Sequence, residues 1–576
     1  MTNRSQALSR AERRRRQRLA KKRGAAESAP TINAARGHHE TGELGAAEAD
    51  YRAILRAQPR NAVVLHLLGV LLLQTGRIEE ALTQLETADR LSPNEPDILN
   101  NLGEGERLSG NLEAAESAYR NALALEPSRA GTLNNLALVL KARGELDAAE
   151  VALRKSLSLD GDEVGTWLNL ADLLSTREQF EAALTLYDGA LERAPRAAPA
   201  HYGRAYALYV LDRLEAAESA AKQAVRGSPG DDKTVELLAR IHVASGNYVA
   251  ASETFLTPVK RRHGKTVIPS TPAERRRLYR TNRIKLSHDL EQLSYVIDAG
   301  DAPAEFEELA AALREALRRT DEREPTEHFD VDELSIDLVT RTHNRLVRDW
   351  YPQPRPGGAL NPELDAGAIE ERFLDGDAGL VYFDDYLHPE ALRALQRFAL
   401  TGSCWFMTDH GAEVGATPST GFCCPLLMQI AGETRERFPR LLGRSFFNTL
   451  WGLKFYQTQP GVGRHIDDGA MSINFWLTPN TGNLNPNTGG LLYWNKEITE
   501  AGFFEHTTAE KFRRLDSRLN ESDAELLRVP YRCNRAMLFR SSVIHGTEEI
   551  DFSTSYAERR INITCLYGRS QSSSLR

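Results

Sequence analysis

The 576-residue sequence contains no apolar run long enough to cross a bilayer, which argues against a helical membrane span. Its N-terminus lacks the apolar stretch of a secretory signal, so a cytoplasmic location is expected. Cysteine is scarce: Cys404, Cys423, Cys424, Cys533 and Cys565 are an odd number, confined to the last third, without C-x-x-C spacing. That pattern argues against a disulfide framework and a cysteine-based zinc site, and fits reduced thiols. The adjacent Cys423 and Cys424 read first as small apolar core residues rather than a redox pair. Net charge is only -8, so the whole molecule is no general nucleic-acid binder. Charged residues at 26% and hydrophobics at 41% are ordinary for a globular protein, and the length calls for several domains.

Charge of one sign is most concentrated at residues 1–27. Arg13, Arg14, Arg15, Arg16, Arg18, Lys21, Lys22 and Arg23 form a self-repelling block. Two readings stand side by side: contact with nucleic acid or another acidic surface, or a solvated tail.

Residues 28–266 repeat themselves. Glycine recurs at Gly42, Gly76, Gly110, Gly144 and Gly246. Alanine recurs at Ala47, Ala81, Ala115, Ala149, Ala183, Ala217 and Ala251. Proline recurs at Pro59, Pro93, Pro127, Pro195 and Pro229, all on a 34-residue period. The small alanine lets the second helix of a pair approach the first, and the proline stops it before the next repeat. Leu102-Gly103, Leu136-Ala137 and Leu170-Ala171 keep the same spacing. This period and punctuation resemble tetratricopeptide repeats. About seven helix pairs fit, the first and last atypical, as end caps are. The resemblance implies a concave groove that binds a protein or peptide. Asn101, Asn135 and Asn169 share one repeat position and resemble the asparagine ladder of some superhelical members. Hydrogen bonding between repeats, without any ligand, is the other reading.

Residues 267–375 read as a helical connector. Helices are expected over Arg275 to Ile297, Glu305 to Arg319 and Phe329 to Trp350, before a loop rich in proline and glycine. His288, beside Asp289 in mid-helix, reads as structural. His328-Phe329-Asp330 reads as a helix start.

Residues 376–569 change character, with two helices followed by short strands. Strands are expected at Gly379 to Phe383, Leu450 to Thr458, Ser472 to Thr478, Gly490 to Trp494, Ala536 to Phe539 and Arg560 to Tyr567. His465 and Asp467, two apart on a strand, would point the same way. An imidazole and a carboxylate on one face supply two of the three ligands of a non-haem Fe(II) site that leaves other positions open. A His-x-Asp alone is weak, and the surrounding order carries more. Tyr456, His465-Ile466-Asp467, Phe475-Trp476-Leu477, Gly489-Gly490, the strand from Arg535 to Phe539, His545 and Arg560 follow the order seen in prolyl-hydroxylase-like 2-oxoglutarate/Fe(II) dioxygenases, which this region resembles.

The resemblance implies a double-stranded β-helix, or jelly roll, with Fe(II) held by His465, Asp467 and His545 and with 2-oxoglutarate as cosubstrate. Arg560, in phase with Asn562 and Thr564, would face the barrel interior and grip the distal carboxylate, with Tyr456 adding a phenolic hydrogen bond. Arg559, of opposite phase, would face the outside or solvent. His545 is expected to be carried by the core run Ala536 to Phe539. Trp476 stands where several of these hydroxylases place a tyrosine, which leaves the carboxylate partner there in doubt. The long Asn-rich segment from Thr478 to Thr488 is either a lid or an exposed tip.

The expected architecture is therefore multidomain: an all-α tetratricopeptide superhelix, a helical connector and a jelly roll. The expected activity is hydroxylation of a side chain of a protein or peptide recruited by the repeats. The alternatives are a hydroxylase of a small molecule or free amino acid, and a catalytically inactive scaffold. Nucleic-acid demethylation fits least, since basic residues concentrate only in the arm.

Overall fold

The computed structural model describes residues 30–300, 302–348, 350–408, 413–455, 462–498, 508–520 and 524–568. The basic arm at 1–27 and Tyr456 lie outside the described residues. The chain divides into two compact units, Met1–Leu173 and Leu174–Arg576. No helix among the described residues is long and apolar enough to cross a membrane.

From Ile32 to His263 the described chain is a run of helical hairpins. Each 34-residue period has the same physical cause. The alanines at 47, 81, 115, 149, 183, 217 and 251 all have 0% exposure. A larger side chain there would push the paired helices apart. Close approach is also enforced at Gly103, where a Cβ would meet the Tyr119 ring at 2.8 Å. The first helix of a pair ends in a left-handed residue: Gly42, Gly76, Gly110, Gly144 and Gly246 have φ between 72° and 88°. The glycine series misses two beats in the sequence, yet Glu178 (φ 59°) and Asp212 (φ 58°) hold the same turn. Those two repeats accept roughly 1–2 kcal/mol of backbone strain to keep the period.

In the first unit the Asn side chains bond between repeats. Asn135 Nδ2 donates to Asn100 Oδ1 at 3.3 Å, and Asn169 Nδ2 to Asn134 Oδ1 at 2.8 Å. Asn101 Nδ2 meets His66 Nε2 at 2.7 Å. The ladder positions thus hold neighbouring repeats in register.

Among its described residues the second unit carries eleven strands. β1 (Arg280–Thr281) pairs with β2 (Phe329–Asp330). The others are β3 (Leu380–Phe383), β4 (Glu413–Ala416), β5 (Phe447–Phe455), β6 (Met471–Trp476), β7 (Leu491–Glu497), β8 (Leu526–Val529), β9 (Ala536–Arg540), β10 (Val543–Thr547) and β11 (Ile561–Tyr567). One sheet has the order β3-β9-β6-β11-β5-β4 and the other β10-β7-β8, antiparallel throughout.

Alternation gives the six-stranded sheet two different faces. Ile561, Ile563, Cys565, Tyr567, Ile473, Phe475 and Leu538 share one core with helices Pro389–Thr401 and Pro425–Arg437. Ala251, Phe255 and Leu256 of the last repeat helix, Tyr248–His263, lie in that same core. On the other face, Phe455, Trp476, Met537 and Phe539 pack with Leu491, Tyr493, Val529 and Val543 of the smaller sheet. This second layer holds the candidate site.

Several expectations are corrected. The helix read from Arg275 to Ile297 is two, Pro272–Tyr279 and Arg283–Asp298, because β1 intervenes and Asn282 caps the second by accepting from Lys285 N at 2.9 Å. The stretch from Phe329 to Trp350 contains only β2, a 3₁₀ turn and the six-residue helix Asp337–Thr342. Asp330 does cap that turn, with a reciprocal capping box to Glu333. His288 is buried, and burial pushes its pKa down to about 3, as a structural residue requires. The last repeat pair is no polar end cap, since its apolar face is covered by the core just described. The segment from Thr478 to Thr488 is pinned to the following chain, Leu484 N donating to Asp551 O at 2.9 Å and Ser553 N to Gly482 O at 2.8 Å. All five cysteines are free thiols, and only Cys533 is not buried.

Candidate metal centre

Strand pairing brings His465, Asp467 and His545 together. His465 is not inside a strand. It forms an isolated antiparallel bridge with His545, each backbone N–H donating to the other's carbonyl, at 2.8 and 2.9 Å. Asp467 N donates to Ser541 O at 2.9 Å, which fixes the next step of the same segment. His545 sits on its own strand, β10, in the smaller sheet and not on the core run Ala536 to Phe539. Two residues between β9 and β10 carry the chain from one sheet to the other, a turn that composition did not reveal.

The ring orientations are set by backbone carbonyls. His465 Nδ1 donates to Gly463 O at 2.8 Å and His545 Nδ1 to Val543 O at 2.9 Å, in the tautomer that leaves Nε2 as the lone-pair nitrogen. His545 Nε2 lies 3.5 Å from Asp467 Oδ2, and His465 Nε2 lies 3.8 Å from Asp467 Oδ1. The three donor atoms all fall within 4.8 Å of one another. Donors about 2.1 Å from one ion and at right angles sit about 3 Å apart, so a small closure would complete the cage. Asp467 and His545 are buried, with side chains 3% and 4% exposed, whereas His465 is 37% exposed, so the cluster faces a way in.

Burial raises the Asp467 pKa, but the two imidazoles and the Ser472 hydroxyl outweigh it and hold the carboxyl below its usual value. Burial lowers that of His545, and Asp467 outweighs it in the other direction. Ser472 Oγ donates to Asp467 Oδ2 at 2.7 Å and lies 2.8 Å from Ser541 Oγ. Sequence reasoning missed both serines, although Ser472 falls in a strand that it did find. Second-shell partners of this kind commonly carry 10–100-fold in metal affinity. Ser472→Ala is therefore expected to weaken Co(II) or Mn(II) binding by about 10-fold or more, read by calorimetric titration of the full chain.

Arg560 lies in the same layer, as its phase predicts. It is 1% exposed, its guanidinium 4.9 Å from the Phe455 ring centroid and 5.7 Å from that of Trp476. Nε donates to Gly489 O at 2.9 Å and Nη1 to Asn562 Oδ1 at 3.1 Å. No carboxylate among the described residues forms a salt bridge with it, and burial lowers its pKa to about 10. Arg559 does not reach solvent: it is buried on the helix-covered face, paired with Glu291 at 2.5 Å. Trp476 Nε1 is buried without a hydrogen-bond partner, and its ring lies 5.0 Å from that of Tyr531. Tyr531 is a further residue of this layer that the sequence did not single out.

Comparison with known proteins bears on the helical part. Tetratricopeptide repeat family models match residues 38–101, 129–159 and 168–232. No curated protein matches the chain. Similar solved structures include PilF of Pseudomonas aeruginosa, at 20% identity over 35% of this chain and 90% of that one, with a TM-score of 0.32. A tetratricopeptide repeat protein from Parabacteroides merdae is 21% identical over 40% of this chain and 91% of that one, with a TM-score of 0.34. YrrB, described as a tetratricopeptide repeat protein with an unusual peptide-binding site, is 16% identical over 32% of this chain and 95% of that one, with a TM-score of 0.27. With buried alanines and left-handed turns on one 34-residue beat, and family models matching in three places, the N-terminal part of this chain is made of tetratricopeptide repeats.

Proposed function

We propose that the chain is a 2-oxoglutarate- and Fe(II)-dependent dioxygenase that hydroxylates a side chain of a protein or peptide recruited by its repeats. The observation that carries the proposal is a pairing of two sites in one layer. A His-Asp-His cluster with fixed tautomers shares that layer with a buried arginine that forms no salt bridge among the described residues. A guanidinium taken out of water without an anion is costly, so a ligand carboxylate is the missing partner.

Strand order supports the same reading. β5, β6, β11 and β9 form one four-stranded wall. The His465 segment, β10, β7 and β8 form the other, and β3 and β4 extend the first. That alternation is what a double-stranded β-helix requires. On this reading residues 28–266 select the partner, 267–375 connect, and 376–569 catalyse.

The residues present fit the implied groups. Two imidazole nitrogens and one carboxylate oxygen are the donor set of a facial triad, which leaves the remaining positions to cosubstrate and oxygen. When bound, Fe(II) with 2-oxoglutarate and O₂ supplies the oxidation, giving succinate, carbon dioxide and a hydroxylated C–H position. The protein's part is geometric. The carbonyls of Gly463 and Val543 hold both imidazoles in the ligating tautomer, and Ser472 aims the Asp467 carboxylate. Arg560 anchors the distal carboxylate of the cosubstrate, and Phe455, Trp476 and Tyr531 keep water from that ion pair, which strengthens it.

The test is succinate formation by the full chain with Fe(II) and 2-oxoglutarate, in the presence of fractionated cell protein or of free amino acids. Turnover stimulated by protein is the expected result. Turnover with a free amino acid alone would move the assignment to a small-molecule hydroxylase. No turnover with either would leave a repeat scaffold.

A further inference from the structure

A polar cavity lined by none of the candidate metal ligands lies beside the end of the last repeat helix. The sequence there is dense in arginine: Arg261-Arg262 closes helix Tyr248–His263, and Arg275-Arg276-Arg277 and Arg280 follow within the next turns of chain. The fold gathers these positions around one cavity of about 360 Å³, whose lining includes Arg262, His263, Arg276, Arg277, Arg280 and Asn344 and, among the described residues, contains no aspartate, glutamate or lysine.

The local acids are engaged elsewhere. Asp232 pairs with Arg261 and with Arg262, the latter at 2.8 Å, and Asp332 pairs with Arg275 at 2.5 Å. No salt bridge among the described residues engages Arg276, Arg277 or Arg280. The Nε atoms of Arg262 and Arg280 are buried and unpartnered.

His263 reports the crowding. Its Nδ1 donates to Asn344 O at 2.9 Å and its ring stacks on Phe406 at 4.8 Å. Burial drives its pKa down to about 4, and the positive charges of Arg262, Arg277 and Arg345 add to that. Guanidiniums converging on a concave wall repel one another, and a folded chain keeps such an arrangement where an anion relieves it. Each fork presents paired N–H groups suited to two anionic oxygens.

We propose that this pocket binds a small phosphorylated compound, through a diphosphate-sized group held by Arg276, Arg277 and Arg280. A volume of about 360 Å³ lies at the small-molecule end of ligand sites and excludes a nucleic-acid duplex. Several charges within that volume favour phosphate, which concentrates more anionic oxygen per unit volume than a carboxylate skeleton.

The test is calorimetric titration of the full chain with sodium pyrophosphate, and separately with citrate. The Arg276→Ala/Arg277→Ala pair removes two exposed side chains. It is expected to raise the pyrophosphate Kd at least tenfold with an unchanged circular dichroism spectrum. Arg280→Ala is expected to do the same, and Arg560→Met, at a residue outside this lining, to leave the Kd unaltered. No pyrophosphate binding at millimolar concentration, an unchanged Kd in the arginine variants, or tighter binding of citrate than of pyrophosphate would overturn the assignment.

Discussion

His465→Ala is expected to abolish 2-oxoglutarate turnover while leaving the melting temperature within a few degrees of the parent chain. The two halves of that expectation come from different physics. The side chain is 37% exposed, so truncating it forfeits little burial. Its backbone N–H and carbonyl, which make the bridge to His545, stay in place. What disappears is one of three ligating atoms. Loss of a second-shell group commonly costs 10–100-fold in metal affinity, so loss of a ligand should exceed about 100-fold. Succinate release and Mn(II) titration read the two effects separately. Asp467→Ala should be as inactive but less stable, because it strands Ser472 and leaves His545 buried without its carboxylate. A His465→Ala chain with parental turnover would remove the metal from the mechanism.

The second large effect concerns Arg560. Arg560→Met keeps much of the length and apolar stem of the side chain and removes the charge. The 2-oxoglutarate affinity should fall about 100-fold or more, since two charge-assisted hydrogen bonds are worth roughly 1.5–3 kcal/mol each. Stability in the absence of cosubstrate should hold or rise. Replacing buried charge by apolar volume is often neutral or stabilising by about 1–4 kcal/mol. The hydrogen bonds to Gly489 O and Asn562 Oδ1 offset part of that gain. Thermal melts with and without 2-oxoglutarate check both signs at once. The parent should be stabilised by the ligand through mass action, and the variant should not. A variant that loses stability sharply and keeps its cosubstrate affinity would make Arg560 a core residue and no anchor.

The parts legible in the sequence are those with a short physical period. Helix pairs follow from 34-residue spacing because each repeat meets only its neighbours. The inward phase of Arg560 follows from strand alternation, since Asn562 and Trp476 are cross-strand partners on one face. His465, Asp467 and His545 were found because the order of the surrounding motifs constrains them. What stayed hidden depends on tertiary pairing. Nothing local says that the chain leaves β9 at Arg540 and joins the other sheet at Val543. The break between two connector helices rests on Asn282 and on a two-residue strand whose partner lies far along the chain. Arg559 was assigned to the outside because alternation gives a face but does not say what covers it. Here the covering is a helix carrying Glu291.

The last hairpin of the array gives up its apolar side to the sheet-bearing unit, where Phe255 and Leu256 share a core with Ile563 and Phe475. A solenoid ordinarily finishes with a polar lid of its own. This one is finished by a different kind of architecture. Severing the chain after the repeats would lay bare a greasy stump, so the seam between the last hairpin and the sheets is no hinge.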